Sequence, residues 1–539
     1  MNLKNFPSWA LTKIFSLESE PRRVLSSRSN CSDEERRLLT EEDHSLIDDQ
    51  SYLEPNIPSV YGSMVPVPQQ IQQNHVHPWG QAVDDCAHGL STVRHEFAEL
   101  LRLGSPTVLA YLFQSSEQFS TVFSLGHLGK EYLAASSLST MTAAITAFSM
   151  FQGIISSLDT LATQAFGANK PYNVAVYFQR CCFILLLLHI PISIIWLNLE
   201  HILIFLRQDP MVAHLCGRYM RVFIFAAPGY ASFEVMKRYL QSQGIFKPIT
   251  CVLCFAAPLN MLLNYLLVWH PKLGFGFLGA PTAVAITFWV QSISLMTYAR
   301  FSSSVIPWTH FSKRAVQNLR PMLTLSFHGM LMIVTEWAAY EMTSLGAGYL
   351  GTASLASQSV LLTTTSLAFQ VPFAFAVASS TRVGHLVGSG RPNLARICSR
   401  VATCLAVLVS VTDGLFLFCF RDHWGHYFTS DKEVLGIVQQ VFPILCLFIV
   451  FDALNAVGGG LLRGIGKQSI GGVISIACNY CIALPVTLVF VIVYHLGLKG
   501  IWLGMIVAVT TGITCQYTVL GHINWHKVLQ EALQRMAHI

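Results

Sequence analysis

Four of the carboxylates that lie within otherwise apolar stretches of the chain are candidates for chemistry. Glu336 and Glu341 stand in T-E-W-A-A-Y-E, Asp452 in F-D-A-L-N and Glu234 in S-F-E-V-M-K-R. A charged side chain near the centre of a bilayer costs at least about 2.5–3.5 kcal/mol, so it normally faces water, binds a cation or takes up a proton. Glu336 and Asp452 lie deepest in their stretches, and we expect them to bind a proton or a partly dehydrated Na⁺.

Glu341 and Glu234 also have a structural interpretation. Both lie near the ends of their apolar stretches, where a long side chain can reach the membrane interface or pair with Lys237 or Arg238. The sequence leaves the functional and the structural interpretation of these two acids open.

Polar and aromatic residues accompany the acids. The polar strip at 114–118 is too hydrophilic to face lipid, and we expect it to line a cavity. Tyr111, Trp337 and Tyr340 offer π faces that attract organic cations. Packing of aromatic rings between helices explains these three residues equally well.

Other classes of chemistry are not indicated. The pairs Cys251/Cys254 and Cys478/Cys481 have the spacing of metal ligands, but both lie in apolar stretches without a second ligand pair nearby. The net charge of +5 is low for 539 residues and forms no basic stripe, which argues against a nucleic acid partner. We therefore predict no enzyme, no bound metal and no cofactor.

The composition predicts an integral membrane protein. Hydrophobic residues make up 53% of the chain and charged residues 12%, against roughly 25% charged residues in an average soluble domain. The region 1–104 is polar, and long apolar stretches follow it. No cleavable signal peptide is expected, because about a hundred polar residues precede the first apolar stretch.

Twelve stretches are long enough for a helix to cross about 30 Å of hydrocarbon at about 1.5 Å per residue. They lie near 105–125, 133–158, 174–196, 212–236, 248–269, 277–299, 321–345, 352–378, 401–420, 435–459, 469–494 and 499–521. Fifteen Lys and Arg residues fall on one side of these spans and about six on the other. Since cytosolic loops are richer in Lys and Arg, we expect that side, with both chain termini, to be cytosolic.

The two halves of the sequence form an internal repeat. Residues of the first half match residues of the second half at one fixed distance along the chain, as position 126 matches position 348. G-H-L-G at 126–129 matches G-Y-L-G at 348–351, and the segment 240–244 falls on 462–466. Because six spans is an even number, the halves cross the membrane in the same sense, as in transporters with a cavity between two lobes. The predicted fold is all-α, with twelve transmembrane helices in two six-helix lobes related by a parallel repeat.

The spans divide the chain into five segments. The tail over 1–95 is polar and cannot bury enough surface to fold, so we expect it to be disordered and cytosolic. An N-lobe over 96–300, a cytosolic linker over 301–320, a C-lobe over 321–522 and a short cytosolic tail over 523–539 follow.

The N-terminal tail contains two acidic dileucine patterns. These are Glu34-x-x-x-Leu38-Leu39 and Glu42-x-x-x-Leu46-Ile47. They resemble signals that adaptor complexes read on cytosolic tails of proteins sorted to vacuoles or lysosomes. Since such short patterns also arise by chance, the vacuolar membrane and the plasma membrane remain alternatives.

Several motifs resemble the multidrug and toxic compound extrusion (MATE) family, and especially its eukaryotic, fungal-like branch. The resemblance covers residues from about 95 to 522. Its motifs include S-S-L-D-T-L-A-T-Q-A-F-G-A at 156–168, F-E-V-M-K-R-Y-L-Q-S-Q-G at 233–244, P-L-N-M-L-L-N-Y-L-L-V-W at 258–269, T-E-W-A-A-Y-E at 335–341 and L-L-R-G-I-G-K-Q at 461–468. Each motif is weak alone, but their shared order and spacing are specific.

The resemblance implies a secondary exporter driven by H⁺ or Na⁺. It places the coupling cation at Glu336, Asp452 and Glu341. We expect the substrate cavity to be lined by Gln114, Tyr111, Trp337, Tyr340, Asn260 and Glu234. Some prokaryotic members carry an Asp in the first helix, in the region where this chain has Gln114, so coupling through the N-lobe is not expected.

The predicted function is antiport: organic solutes and xenobiotics, cationic or amphipathic, leave the cytosol in exchange for H⁺ or Na⁺. The transporter would act as a monomer in the lipid bilayer. A flippase for lipid-linked precursors is the main alternative, although the sequence shows neither the extra helices nor the cationic groove that it would need. A membrane receptor is a further alternative, against which the two matching lobes argue.

Overall fold

Twelve long helices form the body of the protein. The computed structural model describes residues 89–272, 274–308, 312–429 and 431–537, and within these ranges every regular element is a helix. The long helices are α1 Gly89–Gly126, α2 Glu131–Gly167, α3 Pro171–Leu197, α4 Pro210–Ser242, α5 Lys247–Trp269, α6 Gly276–Phe301, α7 Arg320–Tyr349, α8 Thr352–Gly388, α9 Pro392–Trp424, α10 Lys432–Gly464, α11 Gln468–Val493 and α12 Leu498–His522. A shorter helix, α13, covers Trp525–Ala537.

Length and composition alone identify ten of these helices as membrane spans in the described part of the chain. The two exceptions are α1 and α4, which carry the buried charges Glu117, Glu234, Lys237 and Arg238. The counterparts of α1 and α4 in the second half, α7 and α10, do qualify as spans. Hydropathy overlooks α1 and α4 because these charged residues lower it, although the protein interior buries them, and the twelve-helix fold is confirmed.

The repeat governs helix ends as well as helix number. The bounds of α4, Pro210–Ser242, coincide with those of α10, Lys432–Gly464, when the repeat offset is applied. In both helices an Asp precedes the first residue and accepts hydrogen bonds from two backbone N–H groups of the first turn, which stabilises the start of the helix. The turn after each helix contains a glycine with φ of 76°, a conformation that favours glycine.

The two lobes are closed against each other on one side of the membrane. We call the side where α1 begins and α12 ends the basic face, and the opposite side the far face. A Cβ atom at Gly167 of α2 would lie 2.2 Å from the carbonyl oxygen of His385 in α8. A Cβ at Gly388 of α8 would lie 2.1 Å from the carbonyl oxygen of Gln164 in α2. Glycine thus lets the two lobes touch backbone to backbone at the basic face.

The first helix begins earlier than the sequence predicts. Since α1 starts at Gly89, the segment 89–95 is helical, and the predicted tail boundary at residue 95 is wrong. The early part of α1 is held by the C-lobe. Glu96 is fully buried in an ion pair with Arg382 of α8, and Leu100 joins the hydrophobic core of that lobe.

Other helices extend past their predicted spans at the basic face. The predicted spans 133–158 and 212–236 correspond to α2 and α4, which end at Gly167 and Ser242. Their last turns carry polar side chains that the other lobe buries. A hydropathy criterion stops at such residues, whereas the helix continues.

The linker and the C-terminal segment are packed on the lobes. In the linker the backbone of Ile306 accepts a hydrogen bond from the Tyr239 hydroxyl at 2.6 Å and donates one to Gln243 Oε1 at 2.8 Å. The helix α13, which the sequence analysis did not predict, buries Trp525 and Ala532. Both segments therefore belong to the folded body in their described parts.

Candidate functional site

A small cavity lies within the C-lobe between α7, α10, α11 and α12. Its volume is about 30 Å³, room for roughly two water molecules. The lining residues are Glu336, Tyr340, Asp452, Asn455, Ile474, Ser475, Cys478, Asn479, Met505, Ala508, Val509, Gly512 and Gln516. Two acids and several neutral oxygen-bearing side chains thus converge on one water-sized space inside the membrane.

The predicted acids Glu336 and Asp452 both face this cavity. Tyr340 stands one turn beyond Glu336 on α7, and its hydroxyl donates to Asp452 Oδ2 at 3.4 Å. Asp452 is only 3% exposed. In the described part of the chain, neither carboxyl has a Lys or Arg within ion-pair distance. The two acids can therefore take their counter-charge from a proton or a small cation.

Neutral amides complete the cavity, and the sequence analysis missed them. Gln516 of α12 donates to Asn455 Oδ1 at 2.9 Å, while its own Oε1 is buried and accepts no hydrogen bond from the described residues. Asn479 and Ser475 of α11 stand opposite. Oxygen atoms of this kind suit water, which relays protons, and hard cations. The sequence could have indicated these residues, because Asn479 and Gln516 are isolated amides in apolar spans.

Helix α11 changes geometry where it meets the cavity. The segment Ala477–Ala483 is a π-helix, and it contains the lining residues Cys478 and Asn479. Such widened turns are rare and often occur at functional sites, because they re-aim side chains within a helix. The counterpart segment in α5, at 255–261, is regular α-helix.

Two residues grouped with these acids lie away from the cavity. Glu341 is half-buried, and Trp337 is 37% exposed. Neither lines the cavity that Glu336 and Tyr340 face. With about 3.6 residues per turn, Glu336 and Tyr340 share a face of α7, while the residue that follows each of them points about 100° around the helix.

The predicted N-lobe residues form a separate polar cluster. Glu234 of α4 is fully buried, and its Oε1 accepts hydrogen bonds from Lys237 Nζ at 2.6 Å and Gln114 Nε2 at 3.0 Å. Lys237 also donates to Gln114 Oε1 at 3.2 Å and lies 5.0 Å from the ring centre of Tyr111. The ammonium group thus provides Glu234 with a cation from the chain itself, which is the pairing that the sequence analysis held open.

Asn260 is placed apart from both groups. It is 1% exposed, donates to the Thr287 hydroxyl at 3.0 Å and accepts a hydrogen bond from Asn264 at 3.0 Å. These contacts join α5 to α6 inside the N-lobe. The structure therefore places Asn260 in helix packing rather than beside Gln114 and Glu234.

A third charged group joins the lobes at the basic face. Asp159 of α2 lies 3.5 Å from Arg238 of α4 and 3.4 Å from Arg463 of α10. All three side chains are at least nine-tenths buried. The contact is supported by Gln468 of the C-lobe, which donates to the Ser156 carbonyl oxygen at 3.0 Å. The sequence analysis did not predict this cluster, although it offered Arg238 as a partner for a nearby acid.

Twelve membrane helices in two parallel six-helix lobes, with a buried acid site in one lobe and a closed contact at one face, define a membrane transporter. Comparison with known proteins specifies which kind. The sequence model of the MatE family matches residues 106–266 and 330–489, one match in each lobe. The chain belongs to this multidrug and toxin extrusion family.

Relatives agree in sequence and in structure. An uncharacterized transporter of Schizosaccharomyces pombe is 71% identical over 98% of this chain and 99% of its own. Human multidrug and toxin extrusion protein 1 is 33% identical over 82% of this chain and 78% of its own. The crystal structure of the eukaryotic MATE transporter AtDTX14 covers 82% of this chain and 99% of its own with a TM-score of 0.78, at 28% identity.

The dileucine patterns lie outside the described residues. They comprise Glu34, Leu38, Leu39, Glu42, Leu46 and Ile47. Their role as sorting signals stays a prediction.

Proposed function

We propose that this transporter exports organic cations or amphipathic solutes in exchange for protons that bind in the C-lobe cavity. The observation that carries the proposal is that Glu336 and Asp452 line one small cavity, with no Lys or Arg of the described chain within ion-pair distance of either carboxyl. Protonation there favours the lobe arrangement that releases substrate, and deprotonation favours the arrangement that loads it. A ligand, here a proton, can shift such an equilibrium only by its different affinity for the two states.

The direction of transport follows from the orientation that we propose. The basic face has the larger share of Lys and Arg in its loops, which supports placing it in the cytosol. The lobes are closed at that face. The structure then corresponds to the state after substrate has left the cytosol and before the cavity reopens to it.

The proposal is tested by uptake of a fluorescent organic cation into proteoliposomes under an imposed pH gradient. Wild type should show gradient-driven uptake, and Glu336→Gln should abolish it, because the amide cannot exchange the proton. Asp452→Asn should have the same effect. Glu341→Gln is the matched control, since Glu341 lies further along the same helix but does not line the cavity.

The other outcomes separate the alternatives. Uptake that follows a Na⁺ gradient and ignores the pH gradient would mean that the coupling cation bound by these acids is Na⁺ and not H⁺. Transport that survives Glu336→Gln and Asp452→Asn in folded protein would contradict the assignment of the site. Movement of a lipid-linked precursor, with no movement of the organic cation, would favour the flippase.

We also propose that the N-terminal tail addresses the protein to the vacuolar membrane. Support comes from the sequence, where two acidic dileucine patterns occur between positions 34 and 47. A fluorescently tagged chain should lie in the vacuolar membrane, and Ala at all four aliphatic positions of the two patterns should move it to the plasma membrane. An unchanged location would exclude this role of the patterns.

A further inference from the structure

The helix α13 lies at the basic face, where it packs on α8 and α9 of the C-lobe and on α2 of the N-lobe. Trp525, Val528 and Ala532 are buried in the hydrophobic core of the C-lobe. Met536, about one turn after Ala532, is 4% exposed and belongs instead to the core that the N-lobe helices form with the first turns of α7. One short helix thus takes part in the cores of both lobes.

Arg535 makes the polar part of this contact. Its Nη1 donates to the carbonyl oxygen of Gly466 at 3.3 Å and its Nη2 to that of Ile465 at 3.4 Å, just past the end of α10. Its Nη2 also donates to Gln164 Oε1 of α2 at 3.3 Å. Carbonyl groups at the C-terminal end of a helix have no partner within the helix and attract cations. The guanidinium therefore binds the end of α10 and a side chain of the N-lobe at the same time.

The end of α10 is itself part of the contact that closes the basic face. The Thr160 hydroxyl of α2 donates to the carbonyl oxygen of Arg463. Gln164 Nε2, also of α2, donates to the carbonyl oxygen of Gly464 at 3.0 Å. Arg535 binds the next two carbonyl groups, so side chains of α2 and α13 share one row of acceptors. The contact of α13 is therefore continuous with the contact between the lobes.

The attachment of α13 to the C-lobe is the stronger one. Only residues 523 and 524 separate α13 from α12, and three of its side chains lie in the C-lobe core. In addition, Glu531 pairs with Lys467, just beyond α10, at 2.7 Å. If the lobes separate at the basic face, α13 stays with the C-lobe. The contacts that break are then those of Arg535 with Gln164 and of Met536 with the N-lobe core.

The internal repeat offers a comparison within the chain. At the repeat offset, α13 falls on the linker segment 303–315. There the backbone of Ile306 is bound by Tyr239 and Gln243, which lie at the end of α4 in the preceding lobe. In both halves the segment after the sixth helix thus packs at the end of the fourth helix of its own lobe. To this arrangement α13 adds contacts with the other lobe.

We propose that α13 is a strap that holds the basic face closed, with Arg535 and Met536 as the residues that attach it to the N-lobe. Because their N-lobe contacts exist only while the lobes meet, they stabilise the closed state and break each time the basic face opens. The inference goes beyond the proposed exchange and does not depend on the cation that drives it. It requires only that the lobes separate at the basic face.

The test measures the opening of the basic face and not transport. The full chain in lipid nanodiscs is followed, at one pH, by hydrogen–deuterium exchange of a peptide over 240–246. In this segment the Ser242 carbonyl oxygen accepts a hydrogen bond from His385 Nε2 of the C-lobe at 2.7 Å. The peptide therefore reports the contact between the lobes at a place where Arg535 makes no hydrogen bond in the described structure.

Two variants remove the contacts of the strap with the N-lobe. Arg535→Met keeps the length of the side chain but removes its donors. Exchange over 240–246 should rise about tenfold, which corresponds to about 1.4 kcal/mol and is the order expected for the loss of a hydrogen bond from a charged group. Met536→Ala removes the apolar part of the same contact and should also raise exchange, so it serves if the arginine variant does not fold.

Lys527→Met and Leu533→Ala are the matched controls. They remove a cation and an apolar side chain from the same helix, but Lys527 is exposed and Leu533 is 50% exposed. Both variants should keep the wild-type exchange over 240–246.

Two results would overturn the inference. If Arg535→Met and Met536→Ala leave exchange over 240–246 at the wild-type level, α13 rests on the lobes without holding them together, even where exchange over 525–537 rises. If Lys527→Met or Leu533→Ala raises exchange over 240–246 as much as Arg535→Met, any change in α13 suffices, and the two attaching residues have no special role. Neither result bears on the proposed proton exchange, which the uptake assay tests separately.

Discussion

The two lobes share a six-helix plan, but the Glu234 site of the N-lobe and the cavity of the C-lobe neutralise buried carboxylates in opposite ways. In the N-lobe, Glu234 is neutralised by Lys237, which stands three residues later on the same helix. In the C-lobe, Asp452 has Asn455 at the same spacing and shares its cavity with Glu336. The repeat places Glu336 on Gln114 and Lys237 on Gly459. Glu234 thus has a cation from its own helix, whereas the Glu336–Asp452 cavity leaves room for a cation from solution.

The difference has a plain physical consequence. A buried acid with a permanent ammonium partner has no reason to change its charge state during a cycle, because the pair is already neutral. A buried acid without such a partner must obtain a counter-charge each time it loses contact with water. Under the proposed exchange, the Glu234–Lys237 pair is then a fixed support and the Glu336–Asp452 cavity the site of exchange, although both lobes follow the same six-helix plan.

The sharpest way to break this comparison is to give the C-lobe the permanent cation of the N-lobe. Asn455→Lys places an ammonium three residues after Asp452, in the arrangement that Glu234 and Lys237 already use. Gradient-driven uptake should fall about 10²-fold, since close buried charge pairs couple by about 3 kcal/mol and about 1.4 kcal/mol corresponds to a factor of ten. The measurement is the proteoliposome assay of the organic cation.

Asn455→Gln is the control for Asn455→Lys, because it lengthens the side chain without adding charge. It should cost much less transport. Equal losses in the two variants would mean that the size of the side chain, and not its charge, blocks the cavity.

The converse change removes the permanent cation of the N-lobe. Lys237→Met leaves Glu234 buried without its counter-charge and should lower the free energy of unfolding by about 3–5 kcal/mol. Combining Lys237→Met with Glu234→Gln should recover much of that loss, because no charge is then stranded. Thermal unfolding in detergent measures both, and a double variant as unstable as the single one would mean that the ion pair itself, not the stranded charge, maintains the lobe.

A smaller effect is expected at the contact between the lobes, where the repeat places residues of different size in the two halves. Gly153 of α2 packs on the backbone of α7, where a Cβ would lie 2.3 Å from Met330 Cα. Its counterpart in α8 is Phe375, whose ring packs on Gly104 of α1. Gly153→Ala should weaken the closed contact by about 1–3 kcal/mol, the usual range for overpacking, since backbone cannot move aside.

Gly104→Ala is the control for Gly153→Ala. The clash there is with the Phe375 ring, at 2.4 Å, and a ring can turn where a helix backbone cannot. Hydrogen–deuterium exchange at the basic face should increase more for Gly153→Ala. Equal increases would mean that the two inter-lobe contacts are equally rigid.

Much of this fold follows from the sequence because it depends on periodic, local signals. The twelve spans, the fixed offset between the halves and the isolated acids Glu336 and Asp452 are all visible without coordinates. What the sequence could not reveal depends on contacts between distant helices. The segment 89–95 reads as polar tail, yet the helix there continues into an ion pair of Glu96 with Arg382, which lies in the other lobe.

The distinction between local signals and contacts of distant helices also explains which residues of the candidate site the sequence could predict. Glu336 and Asp452 are conspicuous because an acid in an apolar span has few explanations. Asn260 and Gln516 are both amides in apolar spans, and only their surroundings decide their role. Asn260 is used in packing and Gln516 faces the cavity. Asp159 stands among polar residues near a helix end, and only the approach of the second lobe makes it a buried partner of Arg463.

The smallest expected effect concerns the far-face edge of the lobes. Glu200 in the short helix Leu199–Phe205 accepts a hydrogen bond from His214 at 2.9 Å and pairs with Arg221 at 3.3 Å, and these partners hold the pKa of Glu200 below its usual value. Its counterpart Asp422 pairs only with the adjacent, exposed Arg421 in the described structure. A carboxyl whose pKa is lowered on folding adds stability above its unfolded pKa of about 4.3, and that stability is lost as pH falls through the folded value.

Glu200→Gln should therefore lower thermal stability slightly at neutral pH, by about 1 kcal/mol or less, as expected for an accessible ion pair. The deficit should shrink as the pH is lowered past about 4, because the wild-type carboxyl then takes up a proton and loses the same interactions. Asp422→Asn should show a smaller deficit at any pH, since Asp422 has only an exposed partner. Unfolding curves of both variants between neutral and acidic pH make the comparison, and a larger effect at Asp422 would mean that the far-face charges are not organised as this difference between the lobes predicts.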